Sequence, residues 1–84
     1  MRIPIVMPNL GFDQESARIE GWLKQIGDPV VRGDAVAEVE TEKTIAELEA
    51  LDGGTLVEIV RDAGAVAAVG EVIGYLDDDG VAEQ

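Results

Sequence analysis

The chain repeats itself at an interval of 37 residues, and this repeat constrains the fold more than any other feature. Shifting the sequence by 37 positions lays residues 17–39 on residues 54–76 without a gap. The positions that agree are glycines and apolar residues: Gly27 with Gly64, Gly33 with Gly70, Ile19 with Leu56, Val36 with Ile73 and Val39 with Leu76. The two halves are therefore predicted to share one supersecondary plan.

The composition of each half favours short strands. Apolar residues are mainly Val, Ala, Ile and Leu, with one Trp, one Tyr and one Phe, and branched side chains suit a pleated sheet. We predict an all-β fold, a flattened barrel or sandwich of two four-stranded antiparallel sheets with internal pseudo-two-fold symmetry, to which each half supplies about four strands. The repeat is also compatible with a plain tandem of β-meanders.

The ends of the chain and its second apolar run allow more specific predictions. Residues 2–7 form a β-prone run whose Pro4 restricts it to a sheet edge or to a position that need not donate a ladder hydrogen bond. Residues 17–26 are predicted as one strand that carries Trp22 into the core. The last residues lack an apolar period and are acidic, so we expect a domain over residues 1–77 and an acidic tail or interdomain linker over residues 78–84.

A charged segment, residues 40–44 with the sequence ETEKT, lies between the two repeated segments. Apolar residues alternate with polar ones on both sides of it, at Val36, Ala37 and Val39 and again at Ala46, Leu48 and Ala50. This pattern predicts a half-buried hairpin with Lys43, one of two lysines in the chain, at its tip.

The charge and the missing residue types exclude several functions. Eighteen acidic against six basic residues give a net charge of −12, which opposes binding to nucleic acid or to an anionic membrane. The chain has no histidine and no cysteine, so it cannot assemble a Ser-His-Asp or Cys-His catalytic site, and we predict no metal site. No apolar run approaches membrane-spanning length, and we expect a cytoplasmic or mitochondrial-matrix protein.

From Ile3 to about Asp77 the sequence resembles the lipoyl domain of the acyltransferase component of 2-oxo acid dehydrogenase complexes, a member of the biotinyl/lipoyl attachment family. The motifs that carry the resemblance are MPNLG at 7–11, WL at 22–23, GD at 27–28, VRGD at 31–34, AEVETEK at 37–43, GTLVEI at 54–59 and VGEVI at 69–73. In the family the modified lysine lies between Asp and Ala, whereas here its neighbours are Glu42 and Thr44.

The resemblance implies roles for particular residues. Lys43 is expected to carry lipoic acid, and the lipoylating enzyme is expected to read an acid three residues before it, Glu40, together with Glu42. The same enzyme is expected to require Gly27, sixteen residues before the lysine, and Gly54, eleven residues after it. A loop formed by Asn9, Leu10, Gly11 and Phe12 is expected to contact the dehydrogenase.

The resemblance also implies a carrier without catalytic residues of its own, excised from a dihydrolipoamide acyltransferase. The expected partners are a lipoate-protein ligase or lipoyl/octanoyl transferase, a thiamine-diphosphate-dependent 2-oxo acid dehydrogenase, the acyltransferase catalytic domain and dihydrolipoamide dehydrogenase. Among these the lipoyl arm would shuttle acyl groups and reducing equivalents. Two alternatives stay open: a biotin carrier domain of a carboxylase, whose lysine typically lies between two methionines, and an unmodified lipoyl-like adaptor.

Overall fold

The computed structural model describes residues 2–9, 15–41 and 44–78, and its regular structure there consists of strands. Glycines at positive φ occupy four of the described turns, at Gly27, Gly33, Gly64 and Gly70, as the sequence signals indicate. The eight strands in chain order are β1 (Arg2–Val6), β2 (Ser16–Trp22), β3 (Pro29–Val30), β4 (Ala35–Glu40), β5 (Ile45–Glu49), β6 (Gly54–Ile59), β7 (Val66–Ala68) and β8 (Val72–Asp77).

The strands form two four-stranded antiparallel sheets, which confirms the predicted fold class. One sheet, sheet A, has the order β1-β8-β6-β3, and the other, sheet B, has the order β5-β4-β2-β7. Each sheet takes two strands from each half of the chain, so the halves interlock and are not consecutive meanders. Exchanging β1–β4 with β5–β8 converts one strand order into the other. β1, which contains Pro4, lies at a sheet edge, the first of the two positions that the proline allowed.

Backbone hydrogen bonds repeat the same two-fold relation. The Gly27 N–H donates to the Leu56 carbonyl at 2.7 Å, and the Gly64 N–H donates to the Ile19 carbonyl at 2.7 Å. Gly27 and Gly64 have φ of 97° and 92°, a conformation that favours glycine because it has no Cβ. The pairing register shifts after Ile19 in β2 and after Leu56 in β6. The halves thus share turns and irregularities as well as strands.

The core lies between the two sheets and is built from the apolar positions of the repeat. The largest fully buried side chains are Met7, Ile19, Leu56, Ile73, Leu76, Val36 and Val39. Full burial of one such side chain contributes about 1.5–3 kcal/mol relative to exposure. Two repeat pairs, Ile19 with Leu56 and Val36 with Ile73, contribute equivalent members to one core.

The strand predicted over residues 17–26 is too long, because β2 ends at Trp22. Beyond it, Leu23 and Ile26 are 47% and 57% exposed. A tight turn stops the strand: the Gln25 N–H donates to Asp28 Oδ2 at 2.8 Å, and the Gln25 carbonyl accepts the Asp28 N–H at 2.9 Å. A side chain that bonds to nearby backbone competes in this way with the strand ladder.

Trp22 packs against the core as predicted, although it is only partly buried. Its indole Nε1 donates to the Arg61 carbonyl at 2.9 Å, which satisfies the polar end of the ring.

In the described part of the chain, no helix is long and apolar enough to cross a membrane.

Candidate functional site

The predicted hairpin is formed by β4 and β5, which pair with Glu40 opposite Ile45. Beyond this pair the Thr41 N–H donates to the Thr44 carbonyl at 2.8 Å, and the Thr44 N–H donates to Thr41 Oγ1 at 3.2 Å. By sequence, the two residues between Thr41 and Thr44 are Glu42 and Lys43, which lie outside the described residues. The pairing of the two strands around the lysine is therefore confirmed, and the role of Lys43 stays a prediction.

Glu40 is the last residue of β4, and its side chain is held by an arginine from the neighbouring strand. Arg18 lies directly opposite Glu40 in the β2–β4 pairing. Its Nη2 is 2.6 Å from Glu40 Oε1 and 3.2 Å from Glu20 Oε1. The hydrogen bond to Glu40, and then the charges of Glu20 and Glu40, raise the pKa of Arg18 above its usual value. This end of sheet B therefore presents an ion pair to solvent.

Arg18 was not singled out from the sequence. Its alternation with the buried Ala17 and Ile19 predicts that it points outward. Its partner depends on the register between β2 and β4, which are separated by two turns, and no local pattern gives that register. The missed residue is thus one that only long-range pairing brings to the site.

Gly54 begins β6 in sheet A, and Gly27, in the turn before β3, bonds to the same strand, so neither belongs to the sheet that contains Glu40. β3 pairs with β6 so that Val30 lies opposite Gly54, and the Gly27 N–H bonds to Leu56 of the same strand. A Cβ on Gly54 would lie 2.8 Å from the Asp77 carbonyl oxygen, so this position needs a glycine for close approach of β8. An added Cβ on Gly27 would meet no neighbouring atom, so the need for glycine at this position comes from its positive φ. Their predicted recognition by a lipoylating enzyme stays a prediction.

The predicted dehydrogenase-contact loop is described only in part. Asn9 is exposed, whereas Leu10, Gly11 and Phe12 lie outside the described residues. After this loop the chain enters sheet B at Ser16, two residues before Arg18. Ser16 therefore lies at the same end of sheet B as the hairpin turn, and the contact role of the loop stays a prediction.

The strands that flank the lysine are exposed where the hairpin ends. Thr44 and Ile45 are exposed at the start of β5, and the side chain of Ile45 is 54% exposed. An enzyme can therefore approach the strands that flank the lysine. Within residues 2–9, 15–41 and 44–78, no group of three or more His, Cys, Asp or Glu is arranged to hold a metal ion.

The fold is a two-sheet sandwich built from interlocked halves, and the sequence between β4 and β5 contains a lysine. Comparison with known families identifies the class of domain. The family model described as "Biotin-requiring enzyme", Biotin_lipoyl, matches residues 3–76. The chain belongs to the biotinyl/lipoyl attachment domain family.

Individual relatives point to the lipoyl branch of the family. The chain is 36% identical over 78 residues to the dihydrolipoyllysine-residue acetyltransferase component of the acetoin cleaving system of Bacillus subtilis, covering 93% of this chain and 20% of that protein. It is 39% identical over 82 residues to the dihydrolipoyllysine-residue succinyltransferase component of the 2-oxoglutarate dehydrogenase complex of Rickettsia felis, covering 98% and 20%. The chain thus spans about one fifth of the length of these curated relatives.

A solved structure supports the same assignment. The fold superimposes on the solution structure of the lipoyl domain of the 2-oxoglutarate dehydrogenase complex from Azotobacter vinelandii with a TM-score of 0.72. The sequences are 29% identical, and the match covers 90% of this chain and 96% of that domain. The chain therefore has the fold and nearly the full extent of a lipoyl domain.

Proposed function

We propose that Lys43 carries a lipoyl group in amide linkage, and that the domain shuttles acyl groups and reducing equivalents among the active sites of a 2-oxo acid dehydrogenase complex. The observation that carries this proposal is the β4–β5 hairpin, which brackets Lys43 in a sandwich that superimposes on a solved lipoyl domain. When bound, the lipoyl dithiolane supplies the redox and acyl-transfer chemistry. The protein supplies attachment, presentation and recognition.

The residues around the hairpin fit this attachment. Formation of an amide requires that the lysine amine reach an activated acyl group in its neutral form. The exposed Thr44 and Ile45 leave the end of the hairpin open to an enzyme. A lysine amine is protonated at neutral pH, so the modifying enzyme has to remove the proton from Lys43. We assign Glu40 and Glu42 to recognition by that enzyme and not to proton transfer.

The proposed partners follow from the same assignment. A lipoate-protein ligase or a lipoyl/octanoyl transferase attaches the group, and a thiamine-diphosphate-dependent dehydrogenase, an acyltransferase domain and dihydrolipoamide dehydrogenase act on it in turn. Attachment to a tethered domain raises the effective concentration of the arm at each active site. We place this cycle in the cytoplasm or the mitochondrial matrix.

The domain itself is proposed to be non-catalytic. Residues 1–77 form the carrier, and residues 78–84 begin a linker toward a separate acyltransferase domain. Acyl transfer to coenzyme A is assigned to that other domain, because its active site in this family depends on a histidine and the present chain has none. The isolated lipoylated domain should therefore accept acyl groups but release no acyl-coenzyme A.

Biotin is the second candidate cofactor, because the description of the matching family model refers to biotin. A biotin carrier would use the same hairpin lysine, with acyl transfer replaced by carboxyl transfer. The neighbours of Lys43 weigh against it, since Glu42 and Thr44 stand where biotin carriers typically have methionines. An unmodified adaptor would place no demand on Lys43 at all.

Sequential modification and acylation separate these functions. The purified domain is incubated with lipoate, ATP and a lipoate-protein ligase, and in parallel with biotin, ATP and a biotin-protein ligase, and each product is weighed by intact mass spectrometry. The lipoylated domain is then offered to pyruvate, 2-oxoglutarate and branched-chain 2-oxo acid dehydrogenases with their substrates. We expect one lipoyl increment, no biotin increment, and reductive acylation by one dehydrogenase. A biotin increment alone, or no modification, would overturn the proposal.

A further inference from the structure

Glu40 belongs to a row of four side chains that crosses the outer face of sheet B beside the lysine turn. Ile45 lies opposite Glu40, Glu40 opposite Arg18, and Arg18 opposite Val66. Residues directly opposite each other in antiparallel strands point to the same face. Ile45 and Val66 are 54% and 59% exposed. This hairpin row, Ile45-Glu40-Arg18-Val66, therefore has a central ion pair between two exposed aliphatic side chains.

The fold does not require this row, as the equivalent row in sheet A shows. There Arg2 lies opposite Asp77, Asp77 opposite Thr55, and Thr55 opposite Pro29. No large aliphatic side chain occurs in it. Its arginine also contacts residues outside the row, with Nη1 of Arg2 2.7 Å from Glu58 Oε1 and its guanidinium 5.6 Å from the centre of the Tyr75 ring. The same backbone frame thus supports two different surfaces.

The ion pair limits how an enzyme can read Glu40. Oε1 of Glu40 already accepts from Arg18 at 2.6 Å, while both side chains remain partly exposed, at 49% for Arg18 and 39% for Glu40. A planar guanidinium fixes the direction of a carboxylate more tightly than an ammonium does. Arg18 therefore sets which way Oε2 points, and adds a positive charge to a face that also bears Glu20 and Glu38.

We infer that Arg18 is a positioning residue for the lipoylating enzyme: it holds Glu40 in the orientation that the enzyme reads, within a hairpin row whose Ile45 and Val66 give apolar contact. This inference rests on the proposed function, because it takes a lipoate-attaching enzyme as the partner. That enzyme should present a hydrogen-bond donor toward Glu40 and an apolar surface on each side of it.

The test is steady-state lipoylation of the intact chain, followed by mass spectrometry, with KM and kcat measured separately. Arg18→Ala is expected to raise the KM of the domain about fivefold at unchanged kcat, a loss at the upper end for one exposed ion pair. Arg18→Lys should recover part of it. Arg18→Ala combined with Glu40→Ala should be no worse than Glu40→Ala alone, because Arg18 acts through Glu40.

Arg2→Ala is the matched control, since it removes an exposed arginine of the same charge, with an equally short ion pair, from sheet A. It should leave KM unchanged, and both alanine variants should unfold near the wild-type temperature. A wild-type KM for Arg18→Ala, or an equal loss in Arg2→Ala, overturns the role of Arg18 while wild-type lipoylation still supports the function. Absence of lipoylation in the wild type overturns both.

Discussion

The two sheets have one pair of equivalent ends, and the chain connects its strands differently at each of them. At the end of sheet B, β4 turns directly into β5 through Thr41 and Thr44. At the equivalent end of sheet A, the corresponding strands β8 and β1 pair with Asp77 opposite Arg2. One end is closed by the turn that contains Lys43, and at the other the chain enters and leaves the sandwich. The backbone frame is thus shared, and the proposed function depends on the connection and on the surface side chains.

The largest stability difference between the halves is expected at positions 17 and 54, which the repeat superimposes. Ala17 is accommodated in β2, but a Cβ at position 54 would lie 2.8 Å from the Asp77 carbonyl oxygen and 3.1 Å from its carbon. Gly54→Ala must push β8 away and should lower the free energy of unfolding by about 2–3 kcal/mol, as overpacking does. Urea denaturation measures this loss.

Gly21→Ala provides the matched control for that substitution, because no atom lies within 4 Å of its added Cβ. It should change stability by less than about 0.5 kcal/mol. If Gly54→Ala proves as harmless as Gly21→Ala, the close approach of β8 is not what requires the glycine.

Gly27 and Gly64 should respond alike, since both have open space around them and nearly equal φ of 97° and 92°. Replacing either by alanine forces a side chain into a left-handed conformation, at about 1–2 kcal/mol. Thermal unfolding of the two variants tests this equality, and a clear difference would break the two-fold relation.

Lipoylation of the same two variants separates recognition from geometry. We expect a reduced rate only in Gly27→Ala, at a temperature where both variants are folded, because the resemblance assigns recognition to Gly27 and not to Gly64. Equal rates would assign Gly27 to backbone geometry alone.

The smallest expected effect on stability is at Glu71, which follows the turn between β7 and β8. The Ala68 N–H, then the Arg61 guanidinium, lower the pKa of the Glu71 carboxyl below its usual value. A carboxyl with a lowered folded-state pKa stabilises the fold above its unfolded-state pKa, and that stability is lost as the pH falls through the folded-state pKa. Because the group is exposed, the effect is small.

Melting temperatures of wild type and Glu71→Gln, taken between pH 7 and pH 3, measure this contribution. Wild type should melt a few degrees higher at pH 7, and the difference should vanish in the acid range. A difference that persists at pH 3 would show that the ionised carboxylate is not its source.

Much of the fold could be predicted because the repeat supplies it twice. The coinciding pairs Ile19 with Leu56 and Val36 with Ile73 are fully buried, and the edge position of β1 is one of the two that Pro4 allowed. Where only one face of a strand is buried, apolar and polar residues alternate along it, so the sequence shows which residues face the core. Local sequence therefore predicted strands, core and hairpin.

Features that depend on pairing across the sequence could not be predicted. The interlocking of the halves follows from which strands pair, and the Arg18–Glu40 ion pair follows from the β2–β4 register. The end of β2 was misplaced because Leu23 and Ile26 continue the apolar pattern, while the hydrogen bond from Gln25 to Asp28 stops the strand. Apolar pattern alone does not reveal such a competing side-chain bond.

The most direct test of Lys43 as the attachment point uses the two lysines of the chain against each other. Lys24 is a natural control. It precedes β3 and β4, whereas Lys43 follows them, and its Nζ lies 3.6 Å from Asp34 Oδ2. Wild type, Lys24→Arg and Lys43→Arg are each incubated with lipoate-protein ligase and weighed. Wild type and Lys24→Arg should gain one lipoyl group and Lys43→Arg none. A lipoyl increment on Lys43→Arg would contradict the assignment.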